Sequence, residues 1–254
     1  MTDFGLRDHY VGAMKGVILG ICPSATLVDI SHDVPPQDVV AASLELAAAY
    51  RYFPAGTIFL VVVDPGVGSS RPAIAAAAGG YVFVAPDNGV LNGALADLPA
   101  PEVVELTEPR YQRPTVSRTF EGRDRFAPAA AWLATGVPLA SLGPPAAPLS
   151  RLVLPTPVLD ATGAVGQVVR VDRFGNLISN IHRDTLAQVG ASALDVHIGT
   201  CAPALVATYA DVAAGELCAL VGSTGHLEVA VNGASAALRL GLGRGAAVHV
   251  VRRA

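Results

Sequence analysis

From Val11 to Gly20 apolar residues recur with the spacing of one helix face, and Cys22-Pro23 ends the stretch before a strand-like run, Thr26-Leu27-Val28-Asp29-Ile30. The pattern then repeats. Asp38 stands where a helix N-cap would, Val39 to Tyr52 reads as a helix, and Thr57 to Val63 is an apolar, β-branched run bounded by turn residues. Such a run suits a buried strand of a parallel sheet. Tyr81 to Ala85 gives another strand, and Ala127 to Ala134 another helix, with Pro128 in its first turn and Gly136 just beyond its end. Alternating helices and strands predict an α/β sandwich around a central, mostly parallel sheet.

Between Gly143 and Pro157 the chain turns rich in Pro and small residues, the composition of a linker. Beyond it come short β-branched runs, Val165 to Val171, Leu194 to Ile198 and Leu227 to Val231, separated by Gly, Asp and Asn. These predict a smaller antiparallel β-barrel. The expected organisation is an N-terminal α/β domain over residues 1–145 and a C-terminal barrel over residues 158–254.

Composition narrows the function more than the fold. With 52% hydrophobic and 15% charged residues, the chain can bury a sizeable core, and disorder is excluded as its main state. The formal charge of −4, with basic residues scattered along the chain, argues against extended nucleic-acid contact. No apolar run reaches membrane-spanning length, and the N-terminus lacks the basic-then-apolar layout of a signal peptide. Cys22, Cys201 and Cys218 show no C-x-x-C spacing, so neither a disulfide framework nor a zinc site is indicated. A cytoplasmic location is expected.

Candidate chemistry lies in carboxylates at predicted strand ends, where open α/β sheets place ligands: Asp64, Asp87 and the turn-flanked Asp3. Taken singly, an Asp beside Gly, Pro or Asn is usually a turn device. Three in one domain point to a site. No dinucleotide fingerprint, P-loop or nucleophile elbow occurs, and no two histidines have the spacing of metal ligands on one helix face. The sequence names no cofactor and no metal.

In order along the chain, Thr2-Asp3-Phe4-Gly5, Asp8-His9-Tyr10-Val11, Ser31-His32, Asp64-Pro65-Gly66-Val67-Gly68, Pro86-Asp87-Asn88-Gly89 and Thr119-Phe120-Glu121-Gly122-Arg123-Asp124 resemble one family. It is the S-adenosylmethionine (SAM) hydroxide adenosyltransferases, relatives of the fluorinase and chlorinase. Asp172-Arg173-Phe174-Gly175-Asn176, Thr208-Tyr209-Ala210-Asp211 and Gly222-Ser223-Thr224-Gly225-His226-Leu227 continue the likeness to nearly the whole chain. The resemblance implies hydrolysis of SAM to adenosine and methionine by attack of water at the ribose 5′-carbon. It also implies a homotrimer, with substrate between the first domain of one subunit and the barrel of its neighbour.

By the same resemblance Asp3 accepts the ribose hydroxyls, Asp8 meets the methionine ammonium, Ser223 the carboxylate, and Asn176 the adenine edge, with Phe174 and Tyr209 as flat faces. Tyr10, Phe120, Gly122, Asp172, Glu228, Val231 and Gly233 complete the implied substrate contacts. The catalytic set is Asp64, Arg71 and Glu121, with Asp64 holding the water and Arg71 pairing with it. Two departures stand out. Met1 directly precedes Thr2, where relatives have several apolar residues, so a central strand is missing or is replaced by another pairing. Glu121 occupies the position of the family's His, as a substitute proton acceptor, as a partner of Arg71 that leaves Asp64 freer, as a carboxylate that raises a neighbouring pKa by repulsion, or only as a salt bridge to Arg71 or Arg123. Keeping Asp64 favours water over halide as nucleophile, because a carboxylate repels an anion. The rival readings are a non-catalytic sensor of adenosine or SAM and a SAM-dependent halogenase.

Overall fold

A computed structural model describes residues 1–146, 149–190 and 194–253. The chain forms two compact units, Met1–Val153 and Leu154–Ala254. The first contains helices α1 (Tyr10–Ile21), α2 (Val39–Ala49), α3 (Asn92–Leu95) and α4 (Ala127–Ala134), and strands β1 (Ile58–Leu60), β2 (Ala73–Ala78), β3 (Tyr81–Pro86) and β4 (Glu102–Glu105). Asp38 caps α2 as expected, its side chain accepting the Ala41 N–H at 2.9 Å.

The four strands run in the order β1-β3-β2-β4. Only β1 and β3 are parallel; β2 is antiparallel to both its neighbours, so the sheet is mixed and not mostly parallel. The reason is local. Ala78 pairs with Tyr81 across Gly79 and Gly80, both at positive φ, and a two-residue turn of that kind can only join antiparallel strands. Alternation along β2 and β3 sends Ala75 and Val84 toward Met14 and Ile18 of α1 and Ala130 of α4. On the other face Ile74, Ala76 and Phe83 meet Ala42 and Leu46 of α2 and Ala94 of α3. A helix layer thus covers each face, and the small alanines of β2 leave room for both.

The expected strand at Thr26–Ile30 is absent from the sheet: these residues take no regular secondary structure, and Val28 is exposed. Their β-branched side chains favour extension, but a strand also needs a ladder partner. A groove of about 470 Å³ is lined by this stretch and by Ile58–Leu60 of β1. At its end Thr2 forms a parallel bridge with Val62, and the Met1 ammonium donates to the Leu60 carbonyl at 2.8 Å. Burial pushes that ammonium's pKa down to about 6.

The second unit holds β5 (Val158–Leu159), β6 (Gly163–Val171), β7 (Leu177–His182), β8 (Leu194–Ile198), β9 (Ala204–Leu205), β10 (Leu217–Val221), β11 (His226–Val231) and β12 (Ala247–Arg252), with α5 (Arg183–Val189) and α6 (Ala236–Leu240). They form one eight-stranded sheet in the order β8-β12-β6-β7-β11-β10-β9, with β5 added to β6. It is antiparallel throughout except at β9–β10. A register shift between Val168 and Arg170 bends β6, so its first half pairs with β12 and its second with β7. That bend wraps the sheet around Val168, Leu177, Ile181, Leu227, Val229 and Val248. No helix among the described residues is long and apolar enough to cross a membrane.

Candidate active site

In the first unit the chain leaves the buried run Val61–Val63 at Asp64, and the turn after it brings Arg71 back onto the same carboxylate. Arg71 Nε donates to Asp64 Oδ1 at 2.8 Å, and Nη2 donates to Oδ2, a two-pronged pairing. Glycines shape the loop. A Cβ on Gly66 would press on the Arg71 stem at 3.3 Å, and one on Gly68, at φ +77°, would strike the Arg118 carbonyl at 2.4 Å.

Glu121 arrives from the other side, at the start of a π-helical turn, Gly122–Phe126, that leads into α4. Widened turns of this kind recur at functional sites. The turn is pinned by Asp124, fully buried, which accepts from Arg123 Nε at 2.7 Å and from the Ser117 N–H at 2.9 Å, with Arg113 3.3 Å away. Burial opposes its charge, but these donors outweigh burial and hold the Asp124 carboxyl below the usual range. Glu121 is itself buried and accepts from Arg71 Nη2 at 2.5 Å. Burial also disfavours the Arg71 cation; the bonds and charges of Asp64 and Glu121 prevail and raise its pKa.

The sequence-derived residues of this unit group as follows. Asp64, Arg71 and Glu121 form one cluster with side chains 5, 11 and 9% exposed. Phe120 lies at 5.1 Å, edge-on, from the Tyr10 ring, and Phe4 packs against both. Gly122 sits against Phe120 and Val62, where a Cβ would be within 3.4 Å of each. Asp3 follows the Thr2–Val62 bridge and accepts the Gln37 N–H at 2.7 Å, holding a residue whose φ of 65° is otherwise unfavourable. Asp8 is exposed in the loop before α1. Asp87 has a turn role: it accepts the Ser150 N–H at 2.9 Å.

In the second unit a pocket of about 870 Å³ is lined by all eight residues expected there: Asp172, Phe174, Asn176, Tyr209, Ser223, Glu228, Val231 and Gly233. Asp172 organises its own turn, accepting the N–H groups of Phe174 and Asn176 at 2.9 Å and the Asn176 side-chain amide at 3.0 Å. Asn176 is thereby fixed, and the Phe174 ring is left 76% exposed. Gly175, at φ +84°, lies so close to Ser235 that a Cβ would stand 2.0 Å from its hydroxyl. Tyr209 donates to the buried Glu228 carboxyl. Burial, reinforced by that carboxylate, pushes the Tyr209 phenol up; burial and the charge of Asp172 push Glu228 up, against the Tyr209 hydrogen bond. Gly222 is required beneath them, because a Cβ there would lie 2.3 Å from Glu228 Oε2.

Sequence reading names Asp124 only as part of a motif, without a role, and does not single out Arg125 beside Glu121 or Arg170 and Ser235 in the pocket lining. Arg125 follows Glu121 by four residues, a spacing that brings opposite charges together and could have revealed it.

The fold and these two residue sets define an α/β unit with a buried carboxylate–guanidinium centre, coupled in sequence to a barrel bearing an aromatic and amide-lined pocket. Residues 1–143 match the SAM hydroxide adenosyltransferase N-terminal domain, and residues 166–249 match its C-terminal domain. The chain belongs to the SAM hydroxide adenosyltransferase family. It is 43% identical, over 98% of its length and 95% of the relative's, to the (R)-S-adenosyl-L-methionine hydrolase of Salinispora tropica. A fluorinase of Nocardia brasiliensis is 32% identical over 98% of this chain and 95% of its own. Among solved structures, an uncharacterized conserved protein from Thermotoga maritima superposes with a TM-score of 0.90 at 39% identity, covering 98% of both chains.

Proposed function

We propose that this protein hydrolyses SAM to adenosine and L-methionine by attack of water at the ribose 5′-carbon. The observation that carries the reading is Asp64, a nearly buried carboxylate fixed in orientation by both prongs of Arg71. The 5′-carbon of a sulfonium is already activated, since its displacement releases a neutral thioether. The protein therefore has to align a water and accept its proton. Asp64 supplies an oriented acceptor, and Arg71 keeps it from rotating away. No cofactor is needed on this reading.

The nucleoside half of the substrate fits the barrel pocket. Asn176 offers an amide to the adenine edge, and the exposed Phe174 ring and Tyr209 offer stacking faces. Asp3 would take the ribose hydroxyls, Asp8 the ammonium and Ser223 the carboxylate. The two residue sets belong to separate units, and we assign the complete site to a homotrimer in which neighbouring subunits contribute one set each. The halide alternative is disfavoured by Asp64 itself, whose charge repels an anionic nucleophile.

Incubating the purified protein with SAM and following adenosine and methionine by chromatography tests the reading. Equimolar products are expected, with Asp64→Asn slower by roughly 10²- to 10⁴-fold, the contribution of a positioned acid or base. Tight SAM binding with no adenosine above the spontaneous rate would identify a sensor, and chloride-dependent 5′-chloro-5′-deoxyadenosine a halogenase.

A further inference from the structure

Glu121 is a second buried carboxylate at a centre that already has one, and Arg71 donates to both. Two anions on one cation leave an excess negative charge where a water must give up its proton. Coulomb repulsion in a partly desolvated site makes that arrangement costly. The structure supplies a second cation. Arg125, one turn beyond Glu121, places Nη1 3.8 Å from Glu121 Oε1, the oxygen that Arg71 does not hold. Asp64, Arg71, Glu121 and Arg125 then form a row of alternating charge. The Arg125 Nε–H is buried and has no hydrogen-bond partner among the described residues. A buried guanidinium N–H left without a partner in this way is poorly explained by stability alone.

We propose that Arg125 is a positioning residue of the reaction centre, holding Glu121 from the side opposite Arg71 so that Arg71 stays committed to Asp64. This rests on the hydrolase reading. Without Arg125 the Glu121 carboxylate draws Arg71 toward itself, and Asp64 loses the orientation that makes it an acceptor. Glu121 on this view is an orienting anion, and the π-helical turn is what presents it and Arg125 together.

The test compares wild type with Arg125→Gln, with Arg125→Met, which keeps much of the stem without charge, with Arg125→Lys, and with Glu121→Gln alone and combined with Arg125→Gln. Expected is a kcat about tenfold or more lower in both uncharged variants with KM little changed, within the ~100-fold that misplaced catalytic groups can cost. Arg125→Lys should recover most of the loss, and the double variant should be little worse than Glu121→Gln alone. Wild-type kcat in the uncharged variants, a rise in KM at constant kcat, or strictly additive losses in the double variant overturn the proposal. Arginine Nε–H resonances read the same point without turnover. A displaced Arg71 signal in Arg125→Gln supports the proposal and an unmoved one overturns it, whereas a wild-type protein that releases no adenosine overturns only the hydrolase reading.

Discussion

At Glu121 a single side chain separates two accounts of the centre. If it orients Arg71, Glu121→Ala lowers kcat by roughly tenfold or more while KM stays near wild type, and steady-state kinetics with SAM check this. Equal changes in both constants would instead mean that it shapes substrate binding. Glu228 presents a different balance. Its pKa is raised, so the folded protein keeps this proton to higher pH than the unfolded chain does. The stability it contributes is complete below about pH 4, where both states are protonated, and is lost as pH rises through the elevated value. Glu228→Gln keeps an acceptor for Tyr209 and should melt higher than wild type near neutrality, the two converging in acid. Thermal melts across pH decide it.

Elements explain why some of this was legible and some was not. The Asp172 to Asn176 turn is a local device in which one carboxylate caps two N–H groups, and its residues were expected to line a pocket only through the family resemblance. Asp38 declares the start of α2. β2 announces nothing: five of its six residues are alanine, a helix former, and only burial between β3 and β4 makes it a strand. Missing β2 hid the hairpin that makes the sheet mixed. Arg125 stands four residues after Glu121, a spacing that hints at the ion pair, but the widened turn that presents both is not foretold by periodicity. That turn depends in turn on Asp124. Asp124→Asn leaves Arg113 and Arg123 without their buried anion, and a lower midpoint is expected in denaturant unfolding. Loss of activity should accompany it even in the fraction that stays folded.

For the whole molecule, the division into two compact units at Val153–Leu154 falls inside the Pro-rich stretch between Gly143 and Pro157, whose composition marks a linker. The sharing of a site between neighbouring subunits is part of the proposed assembly, since one chain's pattern carries no information about its neighbours' placement. Mixing supplies it. Protomers with Asp64→Asn and protomers with Asn176→Ala, each inactive alone, should regain roughly a quarter of wild-type turnover after joint refolding if random closed assembly pairs one unit with its neighbour's other unit. No recovery at all would mean that each chain builds its site alone.

Arg71 has five N–H donors, and four are taken: three by Asp64 and Glu121, one by the Pro72 carbonyl at 3.4 Å. A guanidinium so fully engaged has little grip left for small dissolved anions. The protein should therefore be indifferent to brine: exchanging acetate for chloride at constant ionic strength leaves its rate unchanged, and marked slowing by chloride would show that the clasp on Arg71 is looser than its geometry implies.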